Sequence, residues 1–562
     1  MFRNKKITLI VAFLIAAVFC IPFYHSELFT GLDLTFHLSR IDGLLSATRD
    51  LQFPVAIYPD KNYGFGYASP LFYCDLFLYP AAILYALNIP LLIVYKIYVF
   101  AIVWLGAYTA LIAMHTFTRN QLLCLFGAVI FTFSSYHIND FFIRAALGEA
   151  MAFSLMPLFP VVAYHFFVEE TDNTLELAVF FSLLALCHLI TFTLSSIVFA
   201  ILILCYLPSF FRNKHWFTFL KAVCIGFGIC AFFLLPMLQQ LRSQKFLFEQ
   251  NRELFGESIM KMYSNTILSV ISDYAITMGY NLEAHHYFTG LVIVLTPILF
   301  LFCRERGEEH RFWSILTVIS VVLLICTTDL IPLYRIKLLQ SIQFTYRFNI
   351  LIASILPFVL VYTLDHFSRP LRPILAAVLL AYTAFNTSVI FQQLRRYKQR
   401  TDNFATPAEL FTGTFYENYN NYYNIAELSS GEYLPATHQM NYKENQGSVY
   451  LFETTAPSVT YTRNGTKSIL QVDSASNGFA AIPVTWYLGY EAVRQTDAGD
   501  VVLPITQEEY TGQIVLPIET GNYTYRISYV GTRVQKFSLL LSGIAVLCVI
   551  ARHIVKKAQE EF

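Results

Sequence analysis

Charge is what this sequence has least of. Lys, Arg, Asp and Glu make up 14% of its 562 residues, against roughly a quarter in an ordinary soluble domain, so a soluble globular fold is excluded. The charges present balance at 38 basic and 38 acidic residues. No basic run or aromatic-basic interleaving is present, and nucleic acid is therefore not an expected partner. The ten cysteines fall in or beside apolar segments and none lies in the polar stretch 392–536. Disulfides do not hold that stretch, and the cysteines read as small buried hydrophobes. The apolar block behind MFRNKK lacks a small-residue cleavage site, so it is expected to be an uncleaved first helix rather than a signal peptide.

What the chain does have is apolar length. Hydrophobic residues make up 56% and aromatics 16%, gathered in blocks of about 16–25 residues, enough at 1.5 Å per residue to cross roughly 30 Å of hydrocarbon. The expected fold is mostly α, a polytopic membrane protein of about 12 transmembrane helices. These fall near 7–24, 91–113, 121–138, 150–167, 175–190, 194–211, 217–237, 288–303, 312–330, 348–366, 371–391 and 537–552. Cytoplasmic loops retain Lys and Arg, which puts Arg3/Lys5/Lys6, Arg119, Arg212/Lys214, Arg304/Arg306/Arg311, Arg369/Arg372 and Arg552/Lys556/Lys557 inside. These sites alternate correctly only if the apolar stretch 69–88 stays out of the membrane. It carries Asp75, Pro70 and Pro80, which suits a helix lying at the outer surface.

Three domains follow from this reading. Residues 1–391 form the transmembrane domain, with surface-lying helices in the first outer loop, 25–90. Residues 392–536 form a β-rich, sandwich-like extracytoplasmic domain, and 537–562 a final helix with a basic cytoplasmic tail. The β assignment rests on SVYLFET, SVTYTR, SILQVD, FAAIPVTWY, GQIVLPI and YTYRISYVG, alternating or β-branched runs separated by Gly, Asn and Pro. The expected location is the cell membrane, with both termini cytoplasmic and the large domain outside.

Ionisable groups in or beside hydrocarbon are expensive and mark candidate sites. The first outer loop offers Asp33, His37, Arg40 and Asp42, followed by Asp60 and Asp75. The second offers His137, Asn139, Asp140, Arg144 and Glu149, and RIKLLQSIQFTYRFN adds Arg335, Lys337 and Arg347. Acids with arginines suit a reaction that needs a base for an acceptor hydroxyl and cations for a departing phosphate. Asp33 and His37 share a face if helical, with Arg40 one turn on. The structural alternative makes Asp33 a helix cap neutralised by Arg40. It likewise pairs Arg144 with Glu149 and makes Arg347 an interfacial anchor.

An acid at the outer end of the first helix, a second acidic site in the next outer loop and a β-rich outer domain after a multi-span body resemble the GT-C glycosyltransferases. More closely, GLDLTFHLSRIDGL, FPVAIYPDKNYGFGYASPLFYCDLFLYP, IRAALGEAMAFSLMPL and IQFTYRF resemble bacterial integral membrane proteins described as YfhO-like, or as related by name to 6-pyruvoyl-tetrahydropterin synthase. The resemblance extends to TWYLGYEAV and GNYTYRISYVGT. The pterin name implies no activity here, because the chain shows no zinc-histidine pterin enzyme.

The resemblance implies glycosyl transfer from a polyprenyl-phosphate-linked sugar to a cell-envelope glycopolymer or glycolipid at the outer leaflet, with membrane lipid as a further partner. Asp33, Asp140 and Glu149 are the implied catalytic acids, Asp33 being the base. The second-loop match is loose, since Asp140 and Glu149 form no compact acidic pair. His37, Arg40, Arg144 and Arg347 are the implied substrate-binding residues, Arg347 holding phosphate through its planar guanidinium. A divalent cation, Mg or Mn, suits carboxylate ligands, and adjacent His285 and His286 point different ways on regular structure. A lipid or sugar transporter and a non-catalytic scaffold for envelope assembly are the rival classes. The first is disfavoured because the halves show no repeat.

Overall fold

A computed structural model describes residues 4–24, 32–169, 173–277, 287–399, 431–436, 444–497 and 499–561. Its apolar blocks are helical because a backbone away from water must satisfy its N–H and C=O groups within the segment. Among the described residues six helices are long and apolar enough to cross a membrane: Leu91–Phe117, His215–Ser243, Glu308–Cys326, Thr345–Asp365, Leu371–Leu394 and Arg533–Arg552. Two pairs, Gln121–Thr132 with Ser135–Arg144 and Leu147–Leu155 with Leu158–Phe167, bend by 43° at short breaks and bring the number to eight if each is one span.

The twelve expected spans are therefore not all full-length. Lys5–Phe19, Thr174–Cys187, Leu189–Cys205 and Leu291–Phe300 have 15, 14, 17 and 10 residues. At 1.5 Å per residue the longest of these reaches about 26 Å, and runs of such length also occur as helices buried in protein. The stretch 69–88 forms two 3-10 turns, Ser69–Leu71 and Leu76–Leu78, and a helix Tyr79–Ala86 of 8 residues. That helix is about 12 Å long, less than half the hydrocarbon thickness.

The chain divides into two units. The first comprises Met1–Leu34, Leu92–Phe227 and Phe255–Phe415. At its centre lies Asn349–Asp365, apolar on every face, which is the pattern of a helix surrounded by protein. Of an apolar stretch of 18 residues within Thr345–Asp365, 94% is buried, packed by Gln121–Thr132, Leu291–Phe300 and Glu308–Cys326.

The second unit comprises Thr35–Leu91, Gly228–Leu254 and Tyr416–Phe562. Its described part contains β1 (Tyr450–Phe452), β2 (Ser458–Asn464), β3 (Lys467–Ser474), β4 (Gly478–Thr485), β5 (Tyr490–Thr496), β6 (Gly499–Leu503), β7 (Thr506–Gln507), β8 (Gln513–Ile518) and β9 (Gly521–Tyr529). They make two antiparallel sheets ordered β1-β4-β8-β7 and β2-β3-β9-β5-β6. Strict alternation puts Leu470 and Val472 of β3 inward and Ile469 and Gln471 outward, as a half-buried strand requires. Pro483 sits where the β4–β8 register slips, between Ile482 and Thr485, a position that needs no ladder donor.

Both sheets share a core with Ile57, Ala68, Leu71, Phe72 and Phe246. The segment around residues 50–72 is also tied polar group to polar group. The Asp50 carboxylate accepts from Thr466 N at 2.8 Å, and Thr485 N donates to Phe65 O at 2.8 Å. Gly465 turns β2 into β3 at φ +60°, and a Cβ there would come within 2.4 Å of Asp50, so glycine is needed twice over. All ten cysteines are free; six are buried, whereas Cys224 and Cys548 are exposed on helices rather than packed inside.

Candidate functional site

The second-loop acids meet because of an irregular turn. Ser135–Asn139 runs into a π-helical turn, Asp140–Arg144, which ends at Ala145 in the left-handed region with φ 53° and ψ 37°. The chain then enters Leu147–Leu155. A wide turn followed by a left-handed residue reverses direction while Asp140, Arg144 and Glu149 stay together, and π-turns of this kind are frequent at functional sites. The backbone ahead of the turn is tied to it: Asp33 N donates to Arg144 O at 2.8 Å and Leu32 N to Ile143 O at 3.3 Å.

Arg144 is the hub. Its Nη1 lies 2.8 Å from Asp140 Oδ1 and 2.9 Å from Glu149 Oε2, and its Nη2 lies 4.0 Å from Asp33 Oδ2. Arg347, from the 3-10 turn Thr345–Phe348, donates from Nε to the same Glu149 Oε2 at 3.2 Å. Its Nη1 donates to Ile342 O at 2.8 Å and Gln343 Oε1 at 2.7 Å. Tyr136 donates its hydroxyl to Glu149 Oε1 at 2.6 Å. Glu149 is thus held by two guanidiniums and a phenol. Tyr346 lies 5.1 Å beneath the Arg144 guanidinium and stacks on Phe344 at 5.0 Å.

Exposure separates the three acids. The side chains of Asp140 and Glu149 keep 0% and 1% of their surface, whereas Asp33 keeps 45%. Asp33 nonetheless sits in a recess deep enough that desolvation raises its pKa above the ordinary carboxylate range, with Arg144 and Arg347 pulling it back. Three carboxylates face two guanidiniums, and Asp33 is the carboxylate without a short ion pair. Buried pairs of this kind lose about 3–5 kcal/mol when one partner is removed.

His37 and Arg40 belong to the second unit and have different work. Both lie on Leu34–Arg49, and Arg40 is locked there. Its Nη2 and Nε reach Asp75 Oδ1 at 2.7 and 3.1 Å, Nη2 also donates to Cys74 O at 3.0 Å, and Nη1 donates to His37 Nδ1 at 3.2 Å. The guanidinium stacks 4.0 Å from the Tyr73 ring, and Tyr58 donates to Asp75 Oδ2. Arg40 therefore neutralises Asp75 within its own unit. Lys61 pairs with Asp42 in the same unit.

Asp33, Asp140, Arg144, Glu149 and Arg347 come together as one network. Tyr136, Tyr346 and Gln343 complete it and were not singled out from sequence: two are aromatics inside apolar runs and the third is a neutral amide. His137, adjacent to Tyr136, was the nearest signal, yet its Nδ1 lies 2.7 Å from Thr132 O. Among the described residues no group of three or more His, Cys, Asp or Glu side chains could hold a metal ion. Asp140 and Glu149 are engaged by guanidiniums, so they do not form a divalent cation site, and His285 and His286 lie outside the described residues.

A family model described as a 6-pyruvoyl-tetrahydropterin synthase related domain, a membrane protein, matches residues 71–394, more than half of the chain. The chain belongs to that family. An uncharacterized protein of Lactococcus lactis subsp. cremoris (strain MG1363) is 25% identical over 260 residues, covering 43% of this chain and 40% of the relative's length. The region matched to the 6-pyruvoyl-tetrahydropterin synthase related family holds Asp140, Arg144, Glu149 and Arg347. Asp33, His37 and Arg40 precede it and the β sheets follow it, so the family's span contains the buried part of the network without its exposed acid.

Proposed function

We propose that this protein is a membrane glycosyltransferase of the GT-C type, moving a sugar from a polyprenyl-phosphate carrier to a cell-envelope acceptor at the outer leaflet. The observation that carries this reading is the contrast within the Arg144 network: two acids buried against arginines and one acid, Asp33, accessible beside them. In the reaction Asp33 takes the proton of an acceptor hydroxyl while that oxygen bonds to the anomeric carbon. The bond from that carbon to the phosphate oxygen breaks, and its electron pair leaves with the polyprenyl phosphate. A single displacement inverts the anomeric centre.

Arg347 stabilises the departing phosphate, for which its Nη2 is left over: its hydrogen bonds among the described residues run from Nε and Nη1. Asp140 and Glu149 do not touch substrate in this scheme. They are positioning residues that fix Arg144 and Arg347 before substrate arrives, so little reorganisation is needed during reaction. The finer topology belongs to the same proposal. Counting Lys5–Phe19, Thr174–Cys187, Leu189–Cys205 and Leu291–Phe300 with the six long helices and two bent pairs gives about twelve crossings, with both termini inside and the β sheets outside.

The test incubates the purified full chain with undecaprenyl-phosphate-linked sugars and a cell-envelope polymer and glycolipid fraction as acceptor, and follows free undecaprenyl phosphate by mass spectrometry. The proposal expects release, and a decrease of roughly 10²–10⁴-fold in Asp33→Asn, the contribution typical of a positioned base. A transporter or a scaffold leaves the donor intact in both proteins. Release at the wild-type rate from Asp33→Asn assigns Asp33 to structure.

A further inference from the structure

The second unit forms an open-sided cavity of 390 Å³, within the range of about 300–1,000 Å³ typical of small-molecule sites. Two of its walls come from helices apolar enough to span a membrane: Phe232, Phe233 and Pro236 from His215–Ser243, and Leu539 from Arg533–Arg552. The segment containing Pro54 and Val55 supplies another wall. The polar side chains on these walls are already engaged. Gln52 donates to Ile57 O at 2.9 Å, Tyr79 accepts from Val55 N at 3.1 Å, and Gln535 donates to the Tyr529 hydroxyl at 2.7 Å. Asp75 is neutralised by Arg40 at 2.7 Å.

A cavity whose polar groups are satisfied offers little to a sugar or to water and favours hydrocarbon. One charge on its lining differs. Lys536 is exposed in the first turn of the last helix and has no ion-pair partner among the described residues. We propose that the cavity takes an acyl chain of an anionic membrane phospholipid whose phosphate is held at Lys536. Both halves of that ligand are matched, the chain by the apolar walls and the phosphate by the ammonium. The assignment is independent of the transfer reaction, since none of these residues belongs to the Arg144 network.

Native mass spectrometry of the purified full chain, titrated with a palmitoyl-oleoyl phosphatidylglycerol and with the matching phosphatidylcholine, tests it. The wild type is expected to prefer phosphatidylglycerol by about fivefold, the effect of roughly one lysine at an anionic headgroup. Lys536→Gln should abolish that preference while still binding lipid. Leu539→Trp, at an exposed helix position, should fill the cavity and weaken both lipids. Inorganic phosphate should not displace either. Equal binding of the two lipids to the wild type overturns the headgroup assignment, and unchanged binding to Leu539→Trp overturns the chain assignment. Displacement by inorganic phosphate reduces the site to an anion site and overturns the proposal as a whole.

Discussion

Asp33 and Asp140 both face Arg144, yet only Asp33 presents its carboxylate to solvent, and this difference sets what pH should do. Desolvation raises the Asp33 pKa while Arg144 and Arg347 lower it. The proposed base must be ionised, so the acid limb of the pH profile of the proposed transfer should lie above the ordinary aspartate range. Arg347→Gln removes a charge that favours the carboxylate, and the limb should move to higher pH, measured by its midpoint rather than its height. Stability follows with the opposite benefit. An acid whose pKa rises on folding binds more protons folded than unfolded, so folding weakens as pH climbs from the unfolded pKa through the folded one. Asp33→Asn should therefore melt no lower than wild type at pH 7 in detergent, and a clear fall in its melting temperature would point to a structural acid. Arg347 gives a second residue-scale expectation. Lys keeps the charge but cannot reach Glu149, Ile342 O and Gln343 together, and each charge-assisted bond contributes about 1.5–3 kcal/mol. Donor release by Arg347→Lys should drop by roughly 10- to 100-fold, with exposed Arg369→Lys as the unaffected comparison.

At the scale of elements, the buried helix Asn349–Asp365 depends on small residues in its neighbours. A Cβ on Gly127 would come 2.6 Å from Val361 and 2.8 Å from Met114, so glycine is what lets Gln121–Thr132 pack this closely. Gly127→Leu should lower the melting temperature of the whole protein, whereas Gly543→Leu, with nothing within 4 Å of the added Cβ, should not. What was readable in the sequence divides along similar lines. β3 was legible because its exposed and buried residues alternate without interruption. β5 and β6 were missed, the first because Arg494 and Gln495 break its pattern and the second because its five residues are mostly exposed. Hydropathy found the apolar helices but could not grade them by length, since the uncharged Leu189–Cys205 stops at 17 residues while Glu308–Cys326, which opens on two glutamates, runs to 19. The ionic residues of the site stood out as misplaced charge in an apolar chain. One pairing was also legible, since the Arg144–Glu149 pair of the structural alternative is made at 2.9 Å; Arg347 and Glu149 are 198 positions apart, and no local spacing joins them.

For the whole molecule, the orientation implied by the basic loops has a direct check. In a background without other accessible cysteines, Asp60→Cys should react with an impermeant maleimide in intact cells and Glu305→Cys should react only after permeabilisation. Both positions are exposed, so lack of reaction reports sidedness rather than burial. Strong labelling of Glu305→Cys in intact cells would invert the arrangement and leave the acids of the Arg144 network facing the cytoplasm.

The shared core of the β sheets also has a consequence in time. Ile57, Ala68, Leu71 and Phe72 are made early, but the strands that cover them begin at residue 450. At roughly 5–20 residues per second, about 400 further residues take on the order of 20–80 s to appear. Throughout that interval the segment has no sandwich to fold against and waits with apolar side chains uncovered, a substrate for chaperones and proteases. The last strands synthesised therefore determine whether the segment around residues 50–72 survives, and a chain truncated before residue 450 should be degraded rather than accumulate as a shorter protein.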